Sequence, residues 1–141
     1  MNQAEFRNKV LQLATDFSKG DVVIGLNQYQ ELAARTLPAP TPYLNTWHLG
    51  SRACALAAEV GEACGVVDKC VAQGHELDRD KLYKEMGDIF WQFAALATVL
   101  DFTLSDIATY NIQKLKARYP EGFTVEDSVA RVDQQMDMFK E

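Results

Sequence analysis

The chain predicts an all-α fold, a bundle of amphipathic helices, and three observations carry that expectation. Apolar residues recur at three- and four-residue spacings over most of its 141 residues. Helix-start pairs (Thr103 with Asp106, Thr124 with Asp127) and stop signals at Gly20, Gly74 and Gly122 fall between the periodic stretches. The one short run with strand character, Val22-Val23-Ile24, has no second strand to pair with.

Residues 2–18 read as a first amphipathic helix, capped by Asn2 with Glu5 and carrying Phe6, Val10, Leu13 and Phe17 on one face. An apolar link over 21–26 follows, and Asn27 caps a short helix over 28–36. Pro38, Pro40 and Pro42 then impose a non-helical connection, because proline lacks the amide that a helix needs. Residues 45–72 form an Ala-rich helix with Leu56, Val60, Val67 and Val71 along a stripe, Cys64 between them, and Glu59, Glu62 and Lys69 on an adjoining face. Asp78 or Asp80 caps the next helix, over 81–100, which buries Met86, Ile89, Phe90, Phe93, Leu96, Ala97 and Leu100. Thr103 opens a helix that ends at Tyr119. Thr124 opens the last, in which Val125, Val129, Val132, Met136 and Phe139 keep helical spacing.

Composition narrows the function. The net charge of -6 argues against nucleic-acid binding, where Lys and Arg must neutralise phosphates. No apolar window is long enough for a membrane span, and the N-terminus shows no signal peptide. Cys54, Cys64 and Cys70 lack metal-site spacing and read as small buried hydrophobes in a reducing compartment, so a cytoplasmic location is expected.

Two acidic pairs stand out, Glu59-Val60-Gly61-Glu62 and Glu85-Met86-Gly87-Asp88, each in an otherwise apolar or small run. The i,i+3 spacing puts both acids of a pair on one helix face, and antiparallel helices would bring all four together. Two unit charges ~6 Å apart at an effective dielectric of ~20 repel by roughly 2.8 kcal/mol, so the group demands a cation. Oxygen-only ligands point to Mg²⁺, with Mn²⁺ as the alternative. Gly61 and Gly87 each cost about 1 kcal/mol against Ala in a helix, which suggests room left for a ligand or a close helix neighbour. A di-iron site would need Glu-x-x-His, and neither His48 nor His75 follows a glutamate at that spacing. Tyr110, Asn111, Lys114 and Arg118 form a third polar cluster, able to clamp phosphoryl charge if it lies beside the acids.

The two acidic motifs, the run from Asn111 to Phe123 and the upstream Tyr29-Gln30-Glu31-Leu32-Ala33-Ala34-Arg35-Thr36 together resemble the MazG-like nucleoside triphosphate pyrophosphohydrolases. The resemblance covers residues 26–128, with 1–25 as an N-terminal helical extension and 129–141 as a helical tail. One departure is Ala58, where many relatives carry glycine. The resemblance implies an all-α enzyme whose antiparallel core helices carry the acidic motifs, and which splits a nucleoside triphosphate into the monophosphate and pyrophosphate. It implies that Glu59, Glu62, Glu85 and Asp88 hold Mg²⁺ and serve catalysis. Asn111, Lys114 and Arg118 would contact the phosphates, and assembly as a homodimer or homotetramer would set the sites near subunit interfaces. Trp47, His48 and Tyr29 are candidates to stack on the base. Two other readings stay open: a phosphoribosyl-ATP pyrophosphohydrolase-like enzyme, and a non-catalytic helical module that binds metal for structure.

Overall fold

A computed structural model describes the backbone of residues 25–38 and 45–135, with Ala4, Glu5 and Asn8, and their side chains except those of 45–48, 134 and 135. The elements are α1 (Leu26–Ala34), α2 (Asn45–Val71), α3 (Arg79–Val99), α4 (Leu104–Arg118), α5 (Val125–Ala130) and a 3-10 turn (Val132–Gln135). No strand occurs among the described residues. Of the helix expected over 2–18 only Ala4, Glu5 and Asn8 are described, and they are helical; the rest of it, the Val22-Val23-Ile24 link, the connection over 39–44, and Met136 and Phe139 lie outside the described residues.

An antiparallel hairpin of α2 and α3 is the frame. Gly74 turns the chain at φ 74°, a left-handed conformation that costs a side-chain-bearing residue more, and the His75 amide donates to the Lys69 carbonyl at 3.1 Å. Asp78 then caps α3, its Oδ1 accepting from the Lys81 amide at 2.9 Å. At the far end Asp101 adopts φ 57°. The Asp101 amide donates to Thr98 at 3.1 Å and the Phe102 amide to Ala97 at 2.9 Å, which closes the last turn of α3.

Helix α1 lies across α3 and the start of α4, and here one expectation is corrected. The cap of α1 is the extended Gly25, which offers no side-chain bond. Asn27 serves another helix, its Oδ1 accepting from the Ser105 amide at 3.1 Å. Gln30 does likewise for Leu104 at 2.8 Å, while its Nε2 donates to the Phe102 carbonyl at 2.8 Å and to Thr98 Oγ1 at 3.1 Å. Thr103 accepts from the Asp106 amide, so three first-turn amides of α4 have side-chain partners, two of them from α1. Beneath these bonds Ala94, Ala97 and Leu104 form the buried core, flanked by Tyr29, Ala33 and Ile107.

Burial departs from the expected stripes. Val66 is the buried valine of α2, whereas Val60, Val67 and Val71 are exposed, as are Met86, Phe90, Phe93 and Leu100. Cys54 and Cys64 are exposed rather than buried, and Cys70 is half-buried. The periodicity creates an apolar face, and much of it is exposed among the described residues. The last helix also stops early, because Arg131 takes φ 47° and the chain continues as the 3-10 turn, with Val125, Val129 and Val132 exposed. A Cβ added at Gly61 or Gly87 would meet nothing within 4 Å, so no close neighbour among the described residues demands either glycine.

Candidate metal centre

Three of the four predicted acids meet across the α2–α3 seam. Carboxylate oxygens of Glu59, Glu85 and Asp88 lie within 4.8 Å of one another. Glu85 is buried, and its cationic neighbour Lys81, on the preceding turn, stands at 4.0 Å, the far limit of an ion pair. Glu59 is half-buried and Asp88 exposed, so the group opens from the seam towards solvent. Glu62 is exposed and outside the group. Hard oxygen donors at this mutual distance suit a divalent cation, and Lys81 alone offsets little of three charges.

Tyr29 borders the group. Its ring stacks on Phe90 with centroids 4.4 Å apart, and burial, then the negative charge of Asp88, raise its phenol above the ordinary value. The phenol therefore stays protonated at neutral pH and can donate a hydrogen bond. Phe90 thus takes one face of the ring predicted to stack on a base. Trp47 and His48 fall in the first turn of α2, and their side chains lie outside the described residues.

The α4 cluster sits elsewhere. The axes of α3 and α4 turn by 102° at their junction. At about 1.5 Å of rise per residue, Lys114 and Asp88 of one chain stand on the order of 20 Å apart. Arg118 is engaged by Asp133, Nε on Oδ1 at 2.5 Å and Nη2 on Oδ2 at 2.6 Å, and Asp133 is buried. The hydrogen bond from Arg118, then its charge and that of Lys114, hold the Asp133 carboxyl below its ordinary value. Arg118 therefore fastens the 3-10 turn to α4. Asn111 is exposed and Lys114 half-buried.

Arg52 is a residue that motif reading passed over. Its guanidinium stands 5.7 Å from the centre of the Trp91 ring, and Nη1 donates to Gln92 Oε1 at 3.3 Å. Its Nε is buried with no partner. The available signal was spacing alone: Arg52 precedes Glu59 by two helical turns, and Gln92 follows Asp88 by one.

The helical hairpin and its carboxylate group define an all-α protein with a candidate site for a divalent cation. Residues 50–123 match the MazG nucleotide pyrophosphohydrolase domain, and the chain belongs to that family. It is also similar to the gene 37 protein of Mycobacterium phage L5, 35% identical over 71 residues, which are 48% of this chain and 62% of that protein. The chain thus spans about three-fifths of the length of that relative. No solved structure matches. No single helix among the described residues is long and apolar enough to cross a membrane.

Proposed function

We propose that the protein hydrolyses nucleoside triphosphates to the monophosphate and pyrophosphate, with Mg²⁺ or Mn²⁺ held by Glu59, Glu85 and Asp88. The observation that carries this reading is the convergence of those carboxylates from two helices inside the matched domain. A divalent cation supplies charge neutralisation at phosphoryl oxygens and a more acidic bound water. The chain's own part is mostly positioning. Glu59 and Glu85 face each other across the seam, and the exposed Asp88 points the opening at substrate. Glu62, one turn beyond Glu59 and outside the group, is free to take the proton of the attacking water. The water oxygen bonds to the α phosphorus, and the bond from that phosphorus to the bridging oxygen breaks. That oxygen keeps the electron pair and leaves with pyrophosphate. The Tyr29 phenol, protonated beside Asp88, can donate to a phosphoryl oxygen.

Since Asn111 and Lys114 stand far from the acids of their own chain, we assign them to the phosphates of a neighbouring copy's site, in a homodimer or homotetramer. Trp47 and His48 are assigned to the base. A panel of ribo- and deoxynucleoside triphosphates with Mg²⁺, assayed for pyrophosphate against orthophosphate, tests the reading. Pyrophosphate from one or more of them is expected. Release from phosphoribosyl-ATP alone would shift the substrate class, and release from none would leave a metal-binding helical module.

A further inference from the structure

Arg52 is the strongest unexplained group in the seam. It is half-buried, its ring contact with Trp91 and its 3.3 Å bond to Gln92 are both to neutral groups, and no carboxylate pairs with it among the described residues. Its buried Nε–H has no acceptor. A buried donor without a partner costs free energy, and a half-buried guanidinium without a counter-charge costs more. The cost of the uncompensated charge falls if an anion reaches the Nη edge of the guanidinium, which stays open in this half-buried residue and donates well to phosphoryl oxygens.

The register of the hairpin says which anion. Glu59 faces Glu85, and Arg52 faces Gln92 further along the same seam. Two helical turns separate Arg52 from Glu59, about 10 Å along the axis, and one turn separates Gln92 from Asp88, about 6 Å. A flexible arginine spans part of that distance, and a triphosphate chain spans the rest. We propose that Arg52 binds the β and γ phosphoryl oxygens of the substrate, the end that leaves as pyrophosphate, with Gln92 and the Trp91 ring holding the guanidinium in place. This rests on the hydrolase reading above. As the bond to the α phosphorus breaks, the bridging oxygen takes the electron pair, and the charge that gathers on pyrophosphate falls to Arg52. Its contribution is therefore larger in the transition state than in the bound substrate.

The test compares wild type, Arg52→Gln and Arg52→Lys, after far-UV circular dichroism and thermal melting establish that each folds. Titration calorimetry with Mg²⁺-pyrophosphate, and separately with a nucleoside monophosphate, provides a readout independent of turnover. Arg52→Gln is expected to weaken pyrophosphate about 10- to 100-fold, the loss of a hydrogen bond to a charged group, and to leave the monophosphate within about twofold. Arg52→Lys should recover part of that loss, since the charge returns without the fork. With a triphosphate that wild type hydrolyses, kcat should fall about 100-fold or more in Arg52→Gln, with a smaller change in KM. Unaltered pyrophosphate binding in Arg52→Gln overturns the proposal while leaving the hydrolase reading intact wherever wild type releases pyrophosphate. A change confined to the ranking of bases also overturns it, because Arg52 would then face the base. If wild type binds no pyrophosphate the proposal fails, and if it also hydrolyses nothing the hydrolase reading fails with it. Should Arg52→Gln not fold, Arg52→Lys decides: wild-type pyrophosphate affinity in that variant overturns the proposal.

Discussion

At the scale of single residues, the acid group is a balance between repulsion and the ion it is built to hold. Charges 4.8 Å apart repel by about 3 kcal/mol at an effective dielectric of ~20, and by less than ~1 kcal/mol where water intervenes. Asp88→Asn removes one charge and one ligand while keeping the shape. It is expected to lose pyrophosphate release by at least about 100-fold. Without metal it should melt no lower than wild type, and its gain in melting temperature on adding Mg²⁺ should shrink. Near-normal Mg²⁺-dependent release from this variant would remove Asp88 from the site. The acids were legible because i,i+3 carboxylates among large apolar residues have few structural explanations. Arg52 and Asp133 were not, since the first depends on what faces it across the seam and the second pairs with Arg118 through a turn that helical spacing does not foretell.

At the scale of elements, helix ends decide most of the geometry. The caps at Asp78, Thr103 and Thr124 were readable because a short polar side chain just before a periodic stretch serves its own helix. Asn27 carries the same chemistry and serves a different helix, which only the tertiary structure decides. Gln30→Ala would leave the Leu104 amide, on a residue 2% exposed, without its acceptor. A loss of about 1–3 kcal/mol is expected, read as a lower urea midpoint at unchanged slope. Asp101→Gly should act in the opposite direction, raising stability by roughly 0.5–1 kcal/mol, because glycine reaches φ 57° without strain. The Arg118–Asp133 pair contributes a pH dependence of defined sign. Folding lowers the Asp133 carboxyl, chiefly through the hydrogen bond from Arg118, so its stabilisation is complete above the unfolded chain's value of about 3.9. It is lost as the pH falls through the lowered folded value. Urea midpoints measured from about pH 5 down to about pH 2 should therefore fall less steeply for Asp133→Asn than for wild type.

At the scale of the whole molecule, exposed apolar surface is the dominant feature. Met86 is 59% exposed and Val71 79%, and Val60, Val67 and Phe93 join them on the hairpin. Periodicity along α2 and α3 announced a face to be covered, but it could not say whether the cover came from the same chain. Patches of this kind mark association surfaces. Light scattering should give a mass that is a multiple of 15.8 kDa, and Val67→Glu should lower it. A 15.8 kDa particle at micromolar concentration would contradict assembly. The corner between α3 and α4 carries its own dynamic signature. First-turn amides of a helix have no bond within it and commonly trade their hydrogen for solvent deuterium first. Those of Leu104 and Ser105 are held by Gln30 and Asn27. Isotope therefore reaches the Leu104 and Ser105 amides only when α1 lifts away, whereas the Asp106 amide, held by Thr103, exchanges without that motion.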